Sequence, residues 1–257
     1  MPNILEARDL AKYFGGVRAL DGVTLSVPEK SIVGLIGPNG SGKTTLFNVV
    51  TGFYEPTRGE VLLKDNNSGS MERIDGLNPN EVFLKGVVRT FQVPRLFTSL
   101  TVLENVLVTP PVQIGERVLD APFKSRWEKQ ERELARKAVW LLKKFGLGDY
   151  IYSRVTELSV AHVKLLETIR GLMTNARLYL LDEPAAGVDY GVARELFNYI
   201  RGLREEGLTF LIVEHRLDVL MDYVDYVYVL HNGKLLSEGK PSEVVNDPKV
   251  VEAYIGG

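Results

Sequence analysis

Residues 37–45 read GPNGSGKTT, a spacing that matches G-x-x-x-x-G-K-[ST] and is typical of a loop that wraps around phosphate groups. Glycines let backbone N–H groups approach phosphate oxygens, and a helix that begins within the loop adds the positive end of its dipole. Lys43 can reach the β- and γ-phosphates of a nucleotide, and Thr44 can offer its hydroxyl to Mg²⁺. A glycine-rich turn without a ligand is the alternative, and the flanking strand and helix patterns argue against it. The residues predicted to bind the nucleotide here are Gly37, Pro38, Asn39, Gly40, Ser41, Gly42, Lys43, Thr44 and Thr45.

Two adjacent carboxylates, Asp182 and Glu183, end the apolar segment RLYLLD at 177–182. Side chains at the carboxyl edge of a parallel sheet point into the ligand crevice. We therefore predict that Asp182 holds Mg²⁺ through water and that Glu183 orients or deprotonates an attacking water. An acidic pair that only caps the turn before Pro184 is the alternative, and the phosphate loop elsewhere in the chain favours the catalytic role.

A histidine, His215, directly follows another strand-like segment, TFLIVE at 209–214. A single histidine is more often structural than catalytic. Its place at the end of the strand after the Asp-Glu strand predicts a contact with the γ-phosphate, because parallel strands end at the same edge. Gln92, in VVRTFQVP, is uninformative by its residue type alone.

The elements that position these residues follow from the apolar pattern. Short apolar runs at 31–36, 177–182, 209–214 and 226–230 alternate with helical patterns, which indicates a parallel sheet covered on both faces. The segments 4–14 and 19–27 alternate more and indicate an N-terminal antiparallel β element. Helical spacing is continuous over 126–145, whereas the polar or proline-rich segments 64–80 and 109–125 indicate loops. We predict one α/β domain, with a nucleotide-binding core at 1–98 and 173–257 and a mainly helical subdomain at 99–172.

Composition limits the classes of partner. The 257 residues are 45 % hydrophobic and 25 % charged, and the net charge of −2 gives no broad electrostatic footprint for nucleic acid or lipid. There is no cysteine, so disulfides and thiolate metal sites are excluded. No basic segment followed by an apolar stretch opens the chain, and the longest apolar runs fall short of the ~20 residues that span a bilayer. These features fit the cytoplasm.

Taken in order, the motifs resemble the ATP-binding subunit of ABC transporters, whose fold is a P-loop NTPase (RecA-like) core with an inserted helical subdomain. The resemblance extends over nearly the whole chain and implies an ATPase that uses ATP and Mg²⁺. It also implies roles that the residue types alone do not give. These are adenine stacking for Phe14 in KYFGG, the Q-loop metal ligand for Gln92, the start of the signature for Ser159, the D-loop for Asp189 and the switch histidine for His215.

Longer stretches, such as DEPAAGVD at 182–189 and VVRTFQVPRLFTSLTVLENVLV at 87–108, look like the larger ATP-binding subunit of branched-chain amino-acid importers. This resemblance implies a second, homologous ATP-binding subunit stacked head to tail, transmembrane permease subunits docked near residues 91–105 and, indirectly, a solute-binding protein. It implies a peripheral location at the cytoplasmic face of the membrane and no nucleic-acid partner.

The signature of the family normally reads L-S-G-G-Q, but here Val160, Ala161 and His162 replace Gly, Gly and Gln. Ser159 remains a good helix N-cap, whereas a branched side chain hinders close approach of a phosphate to the backbone. Because each signature of the family faces the ATP of the partner subunit, the change would act in trans. Three alternatives stay open. The change is a tolerated variant with near-normal function, or it weakens one composite site while the other carries turnover, or the sequence has been altered or engineered.

Other functional classes fit less well. A soluble ABC-type ATPase that acts on ribosomes or DNA typically carries two ATPase units, coiled-coil arms or a basic stripe, which this chain lacks. A small-metabolite kinase would share only the phosphate loop, and a GTPase would need an N-K-x-D segment, which does not occur. A binding-only regulatory subunit is disfavoured because Lys43, Glu183 and His215 are all present.

Overall fold

The computed structural model describes residues 2–91, 95–116, 118–174 and 176–255. Two sheets and nine α-helices form the described part of the chain. The strands are β1 Asn3–Phe14, β2 Val17–Pro28, β3 Ile32–Ile36, β4 Arg58–Lys64, β5 Met71–Arg73, β6 Val87–Arg89, β7 Leu178–Asp182, β8 Thr209–Val213, β9 Tyr226–His231 and β10 Lys234–Gly239. The helices are α1 Lys43–Val50, α2 Pro79–Leu84, α3 Val102–Leu107, α4 Lys124–Lys144, α5 Val160–Leu172, α6 Tyr190–Glu205, α7 Leu217–Leu220, α8 Pro241–Val244 and α9 Pro248–Ile255.

The central sheet has the strand order β10-β9-β3-β8-β7-β6, and every neighbouring pair from β9 to β6 is parallel. Only β10 runs antiparallel, beside β9. Every residue of β3, β7 and β8 is buried, as expected for strands covered on both faces. The four strands predicted from apolar runs are therefore confirmed. Their parallel arrangement brings the segments after β3, β7 and β8 to the same edge of the sheet.

The N-terminal antiparallel element is also confirmed, as a four-stranded sheet of order β2-β1-β4-β5. One hydrophobic cluster joins this sheet to one face of the central sheet, with Phe47 of α1 fully buried between them. Helix α1 is thus fixed on both sides, which holds the preceding loop against the core.

The prediction of a loop over 64–80 is wrong at two places. Residues Met71–Arg73 form β5, because pairing with β4 satisfies their backbone groups although Glu72 and Arg73 are charged and exposed. Helix α2 begins at Pro79, where Asn78 and Glu81 form a reciprocal capping box. The capping residues were visible in the sequence, but the surrounding polar composition obscured them.

Helices α3, α4 and α5 pack together in the second hydrophobic cluster, on the other face of the central sheet. Helix α4 confirms the helical pattern predicted for 126–145 and begins two residues earlier, at Lys124. A 3₁₀ turn at Ile114–Glu116 is the one regular element within the described residues of the 109–123 segment. The boundaries 98/99 and 172/173 of the helical subdomain stay a prediction. Among the described residues, no helix is long and apolar enough to cross a membrane.

Candidate functional site

The loop 37–45 lies between β3 and α1, and α1 begins at Lys43. Gly42 adopts φ 109°, and a Cβ there would lie 2.5 Å from the carbonyl oxygen of Ala19 in β2. Glycine is therefore required by both conformation and space. A Cβ at Gly37 would likewise clash with the Leu230 carbonyl oxygen of β9, so the loop is held between the two sheets.

The Lys43 side chain lies within the loop. Its Nζ donates hydrogen bonds to the carbonyl oxygens of Gly37 at 2.8 Å and Pro38 at 2.9 Å. Burial lowers the pKa of Lys43, and the negative charges of Glu183 and Asp182 oppose that shift. The ammonium is thus placed where the loop, the acidic strand end and a phosphate chain would meet.

A cavity of about 450 Å³ lies over the loop and contains both Glu183 and His215. His215 Nε2 lies 3.1 Å from Glu183 Oε1, so the two side chains form a pair across the ends of β7 and β8. Glu183 adopts φ 52°, an uncommon value for a residue with a side chain, and its N–H donates to the Val213 carbonyl at 2.8 Å. The lining residues are Val17, Arg18, Ala19, Asn39, Gly40, Ser41, Gly42, Lys43, Thr44, Thr45, Glu183, His215 and Asn232.

Asp182 is buried and forms an ion pair that the sequence did not predict. Arg89 Nη2 donates to Asp182 Oδ2 at 2.9 Å, and Nη1 donates to Asn48 Oδ1 at 2.6 Å. The N–H of Asp182 donates to Thr90 Oγ1 at 3.1 Å. Arg89 and Thr90 thus fix the carboxylate and the backbone of Asp182. The only signal for Arg89 in the sequence was a charged residue at the end of an apolar strand.

Thr44 and Asp182 fit a magnesium ion in donor type, since a hydroxyl and a carboxylate are hard oxygen ligands. Thr44 is exposed and lines the cavity, whereas one carboxylate oxygen of Asp182 is engaged by Arg89. Within the described ranges, no group of three acidic, histidine or cysteine side chains could hold an ion alone. Thr44 and Asp182 alone would leave most positions of an octahedral Mg²⁺ to water or phosphate oxygens, as is usual for this ion.

The other predicted residues lie outside the cavity or outside the described residues. Phe14 ends β1 and is 42 % exposed, with its ring edge-on to Tyr54 at 5.2 Å. Ser159 caps α5 by accepting the N–H of His162 at 3.2 Å, and Asp189 occupies the N-cap position of α6. Gln92 lies outside the described residues, and six predicted residues do not line the cavity: Phe14, Gly37, Pro38, Ser159, Asp182 and Asp189.

Comparison with known proteins gives matches over the whole chain. The profile of a family described as "ABC transporter" matches residues 20–186, and one described as "Branched-chain amino acid ATP-binding cassette transporter" matches residues 234–257. A probable branched-chain amino acid transport ATP-binding protein LivG of Methanocaldococcus jannaschii is 42 % identical over 98 % of this chain and 97 % of its own length. The high-affinity branched-chain amino acid transport ATP-binding protein BraF of Pseudomonas aeruginosa is 38 % identical, over 98 % of each chain.

Solved structures agree with these matches. The ADP conformation of an ATP-binding cassette of an ABC transporter has a TM-score of 0.85 and 41 % identity, over 100 % of both chains. A dimeric cassette in a post-hydrolysis state, bound to ADP and Pi, has a TM-score of 0.74 and 25 % identity, over 92 % of this chain and 98 % of that one.

Proposed function

This chain belongs to the ABC transporter family of ATP-binding proteins, and from that membership we propose that it is the ATP-hydrolysing subunit of an importer for branched-chain amino acids. One structural observation carries the hydrolytic part of the proposal. A single cavity holds the phosphate loop with Lys43 and, opposite it, the Glu183–His215 pair. The identity of the transported solute is inferred from the names of the relatives.

The residues of the cavity would divide the reaction among them. The loop and Lys43 hold the β- and γ-phosphates of ATP, while Glu183 accepts a proton from a water that attacks the γ-phosphorus. As the new P–O bond forms, the bond to the β–γ bridging oxygen breaks and ADP leaves. His215 donates a hydrogen bond to a γ-phosphate oxygen. Mg²⁺ held by Thr44, Asp182 and Gln92 would neutralise phosphate charge.

A second ATP-binding subunit is part of the proposal, as a homologous partner stacked head to tail. Ser159 and Asp189 do not line this chain's own cavity, which is the arrangement expected if they act on the ATP of the partner. The dimeric ADP-bound relative supports such a pairing. We propose that Phe14 stacks on the adenine, since its ring is partly exposed at the end of β1. The next strand, β2, begins at Val17, which lines the cavity.

We place the permease contact near residues 91–105. A depression of about 280 Å³ there separates the end of β6 from α5 and is lined by Phe83, Phe91, Arg95 and Arg170, among others. Arg170 Nη1 donates to the Arg95 carbonyl at 2.5 Å, so the rim is built from both α5 and the segment after β6. A permease segment docked there would touch both parts, and the chain would lie peripherally at the cytoplasmic face. A solute-binding protein would act indirectly, and no nucleic acid is involved.

The experiment is ATP hydrolysis by the purified chain, alone and with co-expressed membrane and partner subunits. Hydrolysis should require Lys43 and Glu183, so Lys43→Ala should lose ATP affinity and Glu183→Gln should lose turnover. Lys137→Ala is the matched control, because burial also lowers the pKa of this α4 lysine, which lies outside the cavity. Hydrolysis that the membrane subunits leave unchanged would favour the alternative, an ABC-type ATPase not coupled to transport. Absence of hydrolysis in the complete complex would refute the proposal.

A further inference from the structure

Glu214, the residue between β8 and His215, has a buried carboxylate that joins two loops of the site. Its Oε1 accepts the N–H of Ala185 at 2.8 Å, in the turn that follows Glu183. Its Oε2 accepts the N–H of His215 at 2.8 Å and that of Arg216 at 3.4 Å. The residue is 1 % exposed. One side chain therefore fixes the backbone on both sides of the Glu183–His215 pair.

Burying a carboxylate costs desolvation free energy. This cost indicates that both of its oxygens are needed as hydrogen-bond acceptors for the two loops. Burial raises the pKa of Glu214, while the three N–H donors act in the opposite direction, and the charge of Glu183 adds a smaller upward contribution. A buried charge is retained only where hydrogen bonds compensate its desolvation. A neutral amide would be cheaper to bury but has only one acceptor oxygen, so it could serve one loop and not the other.

Other hydrogen bonds between the loops after β7 and β8 show which part of them depends on the Glu214 carboxylate. The β7 and β8 ends are already joined by the Glu183 N–H to the Val213 carbonyl, at 2.8 Å. Farther along the same loops, Arg216 Nη1 donates to the Val188 carbonyl at 2.9 Å. The Glu214 carboxylate links the same two loops between these positions, at Ala185 on one side and at His215 and Arg216 on the other. Its loss would leave the strand ends joined but would free the turn at Ala185 from the backbone of His215.

We propose that Glu214 is a positioning residue for ATP hydrolysis, which sets the separation of the Glu183 carboxylate and the His215 imidazole by holding both loops. The proposal rests on the proposed function, because it assigns a role within that reaction. Glu214 lies outside the residues that line the cavity, so it acts through Glu183 and His215 and not on the nucleotide.

The test is Glu214→Gln in the complete complex, with kcat and ATP affinity measured separately. We expect kcat to fall at least about 10-fold, since displacements of ~1 Å in a catalytic group cost this much or more. The Kd for a fluorescent ATP analogue should stay within about threefold, because the loop 37–45 is untouched. Should the glutamine variant fold poorly, Glu214→Asp keeps the charge but is one methylene shorter, and the same loss of kcat is expected.

Asp75→Asn is the matched control. The Asp75 side chain is 5 % exposed and accepts the N–H of Val61 at 2.8 Å, but it lies away from the cavity. This variant should lose stability without losing kcat. A kcat for Glu214→Gln within twofold of the parent would overturn the inference while leaving the proposed function intact. The inference would also be overturned if Glu214→Gln lost kcat and ATP affinity equally, or if Asp75→Asn lost as much kcat as Glu214→Gln. Only an inactive parent complex would count against the proposed function itself.

Discussion

The backbone N–H of Phe91 donates a 3.1 Å hydrogen bond to Oε1 of Glu167, which ties the segment after β6 to the middle of α5. The two preceding residues, Arg89 and Thr90, hold Asp182. Three consecutive residues therefore connect the acidic end of β7 to the helix that begins at Ser159. If α5 shifts relative to the sheet, either the hydrogen bond from Phe91 to Glu167 breaks or residues 89–91 move with the helix. A movement of α5 is therefore coupled to the position of Asp182.

Glu167 makes the stability of the protein depend on pH in a defined direction. Burial raises the pKa of its carboxyl above the unfolded value near 4.5, while the Phe91 N–H and the nearby cations partly oppose this. Since the folded chain binds this proton more tightly, the stabilisation is complete below the unfolded pKa and is lost as pH rises through the folded pKa. Glu167→Gln keeps an acceptor for Phe91 but does not titrate. The unfolding free energy of the parent minus that of the variant should fall as pH rises above about 4.5 and through the raised pKa of the folded state.

Urea unfolding at several pH values measures this difference. Glu104→Gln supplies a control of opposite sign, because hydrogen bonds from Thr101 lower the pKa of Glu104. For Glu104 the difference between parent and variant should grow as pH rises. A difference at Glu167 that stays constant or grows with pH would contradict the burial argument.

The ion pair of Arg89 and Asp182 should be among the most sensitive interactions in the fold. Both side chains are nearly fully buried, at 6 % and 5 % exposure. Arg89→Met would remove the ion-pair partner of a buried carboxylate and should cost about 3–5 kcal/mol of unfolding free energy. Adding Asp182→Asn should restore part of the loss, because the amide carries no charge. Arg126→Met is the control, since its pair with Asp120 is exposed on the arginine side and should contribute about 0–1 kcal/mol. Equal losses for the two single variants, measured by urea unfolding, would count against the buried-charge explanation.

The sequence predicted the parts of the fold that depend on local pattern. The apolar runs of β3, β7, β8 and β9 and the helical spacing of α4 needed no distant information. Strand β5 could not be found in this way, because its three residues, two of them charged, become a strand only by pairing with β4. Helix α2 carried a capping signal that the polar composition around it concealed.

The candidate site divides in the same manner. The phosphate loop and the two strand ends with Glu183 and His215 were predicted from position, and the structure places them around one cavity. Arg89 and Glu167 were missed because their partners, the Asp182 carboxylate and the Phe91 N–H, come from distant parts of the chain. Glu214 was missed because its partners are backbone N–H groups, one of them in the distant turn at Ala185. A single sequence gives no pattern for a buried charge whose partner is the main chain.

Gly42 should tolerate no side chain. Its φ of 109° is strained for any other residue, and a Cβ would clash with the Ala19 carbonyl oxygen. Gly42→Ala should therefore displace the loop and weaken ATP affinity at least about 10-fold, or ~1.4 kcal/mol. Gly202→Ala is the matched control, since this glycine lies within α6 and a Cβ added there would meet open space. That variant should bind ATP normally and gain about 0.5–1 kcal/mol of stability. Normal affinity in Gly42→Ala, by fluorescence titration, would show that the loop adapts.

Val160 and Ala161 allow a test of whether the departure from the L-S-G-G-Q signature lowers activity. Val160 is the first residue of α5 and is 61 % exposed, so its side chain contributes little to the core. If this helix end faces the ATP of a partner subunit, the branched side chain keeps the backbone N–H groups away from the γ-phosphate. Val160→Gly with Ala161→Gly should then raise the ATPase rate of the complete complex, by about tenfold if ~1.4 kcal/mol of transition-state stabilisation is recovered. Val118→Gly, at an 87 % exposed position outside the helix, controls for an effect of the substitution type. An unchanged rate in the double variant, with Ser159 still capping the helix, would mean that the signature is a tolerated variant and that the composite site was never weakened.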